Sequence, residues 1–254
     1  MKHIYLFLVA LVLSTSIFSQ TEFWGTINSG GTNGRGLIFK SDGNGENLEV
    51  KYNFPDLNYD SKPYYPSKKM LLASNGNFYG IHGYSTQSCY GCGGGGIYEF
   101  NPKTLTVVNK ALHGCNDMVL GKDDIIYGVG SPWGAVISCL FKYDIKNNTL
   151  NKIVDFNFAI GRHPQNIILG SDGKIYGMTT EGGINQKGVL FQYDPATNIF
   201  AVIHDFTNVV SGNLVEGSDH TIYTMYLNDY DFNQRMEVFK YNINNKEFSY
   251  NTIP

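Results

Sequence analysis

The densest reactive chemistry in the chain is a set of cysteines and a histidine: Cys89, Cys92, His113 and Cys115 follow the spacing C-x2-C-x20-H-x-C, and Cys139 lies further on. A tetrahedral zinc ion takes four such ligands, commonly opening with a C-x2-C pair. In an exported chain, however, an even number of cysteines reads first as disulfides. The N-terminus indicates export, so the expectation is bridging among Cys89, Cys92, Cys115 and Cys139, with no bound metal and no cofactor. The pairing stays open, because four cysteines allow three connectivities. A redox-active C-x-x-C would need a helix N-terminus to lower its thiol pKa, and no helical period of useful length follows the first residues.

Carboxylates offer less. Glycosidic cleavage by two acids needs them about 5 to 9.5 Å apart beside one bond. The segments expected to be innermost, "MLLAS", "MVLG", "IILG" and "LVEG", contain only Glu216, with Asp117 just ahead of the second. The run "GCGGGG" lacks the Lys and Ser or Thr of a phosphate loop, and no G-x-S-x-G elbow occurs. What remains is a set of aromatic and hydrogen-bonding residues on long connections: Tyr64, Tyr65, His82, Tyr84, Trp133, Arg162, His163, Glu181 and Asn185, with Arg35 and Tyr90 beside them. Rings that stack on the apolar face of a sugar, next to amides and carboxylates that meet its hydroxyls, suit a glycan. The same residues also suit loops that pack on one another.

The elements that must position these residues repeat. A landmark aromatic recurs at Trp24, Tyr79, Tyr127, Tyr176 and Tyr223, at spacings of 55, 48, 49 and 47, and four of the five are followed by glycine. A second landmark follows in "LIFK", "GIYEF", "LFKYD", "LFQYD" and "VFKYN". Each unit holds segments A to D, rich in β-branched and aromatic residues, with Asn, Asp, Gly and Pro clusters such as "SDGK" and "DPATN" closing A to B and C to D. An antiparallel meander repeated every 40 to 50 residues predicts an all-β fold: a β-propeller of about five four-stranded blades. The first unit starts at segment B, so its blade lacks the innermost strand.

The unit "DGKIYGMTTEGGINQKGVLFQYDPATNIFAVIHDF" and the first unit, "EFWGTINSGGTNGRGLIFKSDGNGENLEVKYNF", resemble the GloVer-type tandem repeats of exported bacterial proteins. The similarity runs through the mature chain but thins in the fifth unit, where "LNDYDFNQRMEVF" replaces the glycine loop. It implies a propeller-like fold and export, and no particular activity.

Residues 1–20 read as a signal peptide, with Lys2 ahead of an apolar run from Ile4 to Leu13. That run is too short for a membrane span, which takes roughly 20 residues. Residues 21–254 form a single repeat domain, secreted to the periplasm or the extracellular space. The net charge of −3 excludes the basic face that nucleic-acid binding requires. In a meander the A–B and C–D hairpins share one face, and the longer B–C and D–A loops share the other. The second face is the expected site of a non-catalytic binding module for glycan or protein. A glycoside-active propeller enzyme and a structural surface or assembly component are the alternatives. The unclosed edge of the first blade is a further place for a partner strand.

Overall fold

The computed structural model describes residues 21–56, 63–83, 95–111, 114–131, 137–210, 212–227 and 236–252. The expected signal peptide lies outside them. The described residues form five antiparallel sheets. The first has three strands, β1 (Glu22–Ile27), β2 (Leu37–Asp42) and β3 (Glu49–Asn53). The second holds β4 (Tyr64–Leu72), β5 (Phe78–Gly83), β6 (Gly95–Asn101) and β7 (Thr106–Ala111). The third holds β8 (Asp117–Leu120), β9 (Ile125–Gly130), β10 (Cys139–Asp144) and β11 (Thr149–Asp155). The fourth holds β12 (Arg162–Leu169), β13 (Ile175–Glu181), β14 (Val189–Asp194) and β15 (Ile199–Asp205). The fifth holds β16 (Val215–Glu216), β17 (Thr221–Leu227), β18 (Met236–Asn242) and β19 (Phe248–Thr252). Within every sheet, strands consecutive in sequence pair side by side. The architecture is the predicted β-propeller, and among the described residues the first blade has three strands, as expected. Among the described residues no helix is long and apolar enough to cross a membrane.

The two landmarks of the repeat form a knob and its hole. A Cβ added to Gly177 on β13 would lie 2.2 Å from the Phe191 ring of β14, and one on Gly128 of β9 would lie 2.3 Å from the Phe141 ring of β10. Glycine follows the landmark aromatic because the ring of the neighbouring strand lies flat over it. The landmark tyrosines point the other way, into the next sheet: Tyr79 faces Tyr143, Tyr127 faces Tyr193 and Tyr176 faces Tyr241, with centroids 5.8 to 6.5 Å apart. The hydroxyl of Tyr176 donates to Asp172 in its own A–B turn at 3.0 Å, so one side chain serves both packing and turn. The C–D turns are closed by an Asx residue. Asn101, Asp144, Asp194 and Asn242 each accept a backbone N–H two or three residues on.

The core lies between the sheets. Four buried clusters join the first sheet to the second, the second to the third, the third to the fourth and the fourth to the fifth. Among the described residues no cluster joins the fifth sheet to the first. Tyr98, Phe141, Phe191 and Phe239 are fully buried, whereas Phe39, their counterpart on the first sheet, is half-buried. Along the same seam Phe23, Ile27 and Val50 of the first sheet and Val215 and Met225 of the fifth are exposed.

Candidate functional site

The inner strands open on the long-loop face with a polar column: Lys69 on β4, Asp117 on β8, Asn166 on β12, and Asn213 just ahead of β16. These side chains clasp one inner strand to the next. Asp117 Oδ2 accepts the Ile167 backbone N–H at 3.0 Å, and Asn166 Oδ1 accepts the Leu214 N–H at 2.8 Å. Asp117 also accepts Met118 N–H at 2.8 Å, Lys69 Nζ at 3.1 Å and Asn166 Nδ2 at 3.0 Å. Its two oxygens therefore hold four donors drawn from three sheets, which leaves no lone pair prominent enough for acid–base work.

Around this column lies a cavity of about 380 Å³ to which every sheet contributes. Asn28 comes from the first sheet, Ser67, Lys69 and Ile81 from the second, and Asn116 with Asp117 from the third. Gln165 and Asn166 come from the fourth and Asn213 from the fifth. The second sheet reaches in through a bulge. Between Pro66, opposite His82, and Met70, opposite Gly80, β4 carries extra residues, and Ser67 O accepts Thr26 Oγ1 of β1 there. The bulge leans on β1, which among the described residues pairs with β2 alone. Ser67 Oγ is buried and has no hydrogen-bond partner among the described residues.

The residues singled out by sequence fall into separate places. Arg162, His163 and Glu181 come together on the fourth sheet. Glu181 Oε2 lies 3.9 Å from Arg162 Nη1 and 3.6 Å from His163 Nε2, and the Arg162 guanidinium sits 4.3 Å over the exposed Phe158 ring. A second cluster forms where the first two sheets meet: Arg35 pairs with Asp56 at 3.2 Å and bonds to the Tyr65 hydroxyl, whose ring it also covers at 5.4 Å. Tyr65 and His163 both precede a proline and both hold positive φ, 51° and 53°. Such backbone costs about 1–3 kcal/mol and gathers at sites of function. Asn185 instead pins its glycine loop, donating to Asp205 O at 3.5 Å while Asp205 Oδ1 accepts Ile184 N–H at 2.6 Å. The first sheet builds the same loop, with Asn33 Nδ2 on Phe54 O at 2.9 Å and Asn53 Oδ1 accepting Thr32 N–H.

His82 is buried rather than displayed, with its ring nitrogens at 2.9 Å from Gly83 O and 3.0 Å from Asn109 Oδ1. Burial holds its pKa below the ordinary histidine value. Tyr84, Tyr90, Trp133, Cys89, Cys92 and His113 lie outside the described residues, as does the side chain of Tyr64. Cys115 and Cys139 both join the core between the second and third sheets and are not bridged to each other. The Cys115 Sγ–H donates to Asp117 O at 3.3 Å; burial raises its pKa and pushes that of Cys139 up to about 11. Of the expected pairings, Cys115–Cys139 is therefore not formed, and those with Cys89 or Cys92 lie outside the described residues.

Comparison with known proteins agrees with this architecture. The sequence profile of the Gloeobacter/Verrucomicrobia repeat matches residues 109–252, more than half of the chain. No curated protein sequence matches it. Among solved structures, TolB from Acinetobacter baumannii is 16% identical, with a TM-score of 0.55 over 86% of this chain and 48% of that one. An oligogalacturonate lyase from Vibrio parahaemolyticus is 11% identical, with a TM-score of 0.57 over 84% of this chain and 59% of that one. An oligogalacturonate lyase in complex with manganese is 10% identical, with a TM-score of 0.61 over 92% and 62%. The chain thus spans roughly half to three-fifths of these propellers, and at such identities the likeness is one of fold.

Proposed function

We infer that this chain, which belongs to the Gloeobacter/Verrucomicrobia repeat family, is an exported, non-catalytic binding module that recognises a glycan or a protein through its long-loop face. The observation that carries the reading is the mouth of the propeller axis. Hydrogen-bonding side chains from all five sheets converge there, and Asp117, the carboxylate among them, is fully engaged in holding the sheets together. The flanking Arg162–Glu181–Phe158 and Arg35–Tyr65 clusters add charge and ring surface on the same face.

The test is binding of residues 21–254 to an array of polysaccharides, with Arg162→Ala alongside and the soluble fraction assayed for released oligosaccharide. Saturable binding without release supports the module. Release of shorter chains would instead make it an enzyme. One observation favours a protein partner as the second reading: among the described residues β1 pairs with β2 alone, and Phe23 and Ile27 on it are exposed. Pull-down against exported proteins with Phe23→Asp as the control addresses it.

A further inference from the structure

We propose that the axial cavity is the ligand subsite of the long-loop face and that it takes a neutral, hydroxyl-rich ligand, such as the end of a saccharide chain. The proposal rests on the reading of that face as a binding face and adds its place and chemistry. Its volume of about 380 Å³ lies within the usual range of small-molecule sites.

The class of ligand follows from what the lining groups have left to offer. Asn166 and Asp117 are occupied by the clasp between the sheets. Asn116 donates Nδ2 to Pro164 O at 2.8 Å, and among the described residues its Oδ1 stays an open acceptor. Lys69 uses one donor on Asp117 and has two more on a side chain that is 43% exposed. Asn213 accepts at 3.4 Å from Asn166 and keeps its own amide donors. Asn28 and Ser67 have no side-chain hydrogen bond among the described residues, and the Ser67 hydroxyl is buried as well. A buried hydroxyl without a partner loses its solvation and recovers nothing, unless a ligand or an ordered water completes it.

The open groups are therefore donors and acceptors in mixture, which is the pattern of a hydroxyl, itself both. An anion would use the donors alone and set its charge against Asn116 Oδ1 and the Asp117 carboxylate. The one ammonium among the described lining residues is already matched by that carboxylate at 3.1 Å. An apolar ligand would leave Ser67 and the amides unmet. Ile81 supplies a single apolar contact, suited to the C–H face of a sugar ring.

Isothermal titration and saturation-transfer NMR on residues 21–254 test this with a fixed set of probes. The probes are methyl glycosides of glucose, galactose and mannose, N-acetylglucosamine, their tetrasaccharides, and the matching uronic acids. The variants are Ser67→Ala and Asn213→Ala, with Lys103→Ala on the opposite face as control. Ser67→Ala removes an unpartnered hydroxyl, so it should fold as well as the parent. The expected result is binding of one neutral sugar, weakened about tenfold by each cavity variant, one hydrogen bond's worth, and untouched by Lys103→Ala. Binding that survives both cavity variants and is lost in Arg162→Ala would overturn the cavity while keeping the face. Preference for the uronic acids would overturn the ligand class alone. Absence of binding to every probe would overturn the cavity site together with the glycan reading of the face.

Discussion

Asp117→Ala is the substitution on which the account of the propeller axis can most directly fail. The carboxylate accepts from Met118 N–H and Ile167 N–H, both on residues that are completely buried, and from Lys69 and Asn166. Removing it strands two buried backbone donors, at about 1–3 kcal/mol each. The Lys69 ion pair adds little, because its ammonium stem is 43% exposed and water replaces the partner. The sum is about 4 kcal/mol, which in a domain of this size lowers Tm by about 8–16 °C. Asp117→Asn keeps one acceptor oxygen and should lose about half as much. Asp194→Ala, which frees only the exposed Ala196 N–H in a hairpin, should lose about 1 kcal/mol or less. Scanning calorimetry of the parent and the three variants decides the matter. An Asp117→Ala protein that melts within about 2 °C of the parent, or together with Asp194→Ala, would show that the polar column does not clasp the sheets.

Two further outcomes follow from the same coordinates. His204 is packed among Phe206, Phe239 and Phe248 at 4.7 to 5.2 Å, with Nε2 2.5 Å from the Tyr250 hydroxyl, and burial holds its pKa below the ordinary value against the weaker pull of Asp205. A depressed histidine means that the unfolded chain binds the proton first. The contribution is therefore fully present above pH of about 6.5 and is lost as pH falls toward the folded value. His82 acts with the same sign, so urea midpoints of His204→Phe across pH 5 to 8 should show a shallower fall than the parent's, not a flat line. Gly188→Ala should cost about 3 kcal/mol and Gly173→Ala about 1 kcal/mol in urea unfolding. Both hold positive φ, but a Cβ on Gly188 would meet Thr179 O at 2.0 Å, whereas one on Gly173 meets nothing within 4 Å. Equal costs would contradict the close approach.

The sheet count and the three-stranded first sheet were legible because the blades repeat local chemistry: an Asx-closed hairpin, a landmark aromatic, and in four of the five a glycine that admits the next ring. The candidate site was less legible. Loop length put Arg162, His163 and Glu181 on one face, since a meander gathers those loops there, but not their contacts with one another. The polar column was missed because the inner segments were read from their apolar portions. The signal stood one step earlier, in "KKM", "NDM", "QNI" and "GNL", where a polar residue stands directly before the first apolar residue of each inner segment. The bulge that carries Ser67 has no sequence mark, since it is set by its contact with Thr26 of β1, a property of the assembled molecule. His82 looked like a displayed ligand residue because the period gives its strand but not how deeply its neighbours cover it.

The seam sets how the molecule comes apart. In a closed ring every blade is held from both sides, and none can leave without breaking two interfaces. Here, among the described residues, the buried interfaces form a line of four with the first and fifth sheets at its ends. Stability is then a sum over a chain of nearest-neighbour couplings, as in a solenoid, and opening starts at the ends. Amides of β1 to β3 and β16 to β19 should exchange at lower free energy than those of β8 to β15. The Asp117 clasp, in the middle of the line, governs whether fraying stops at one sheet or runs through the whole array.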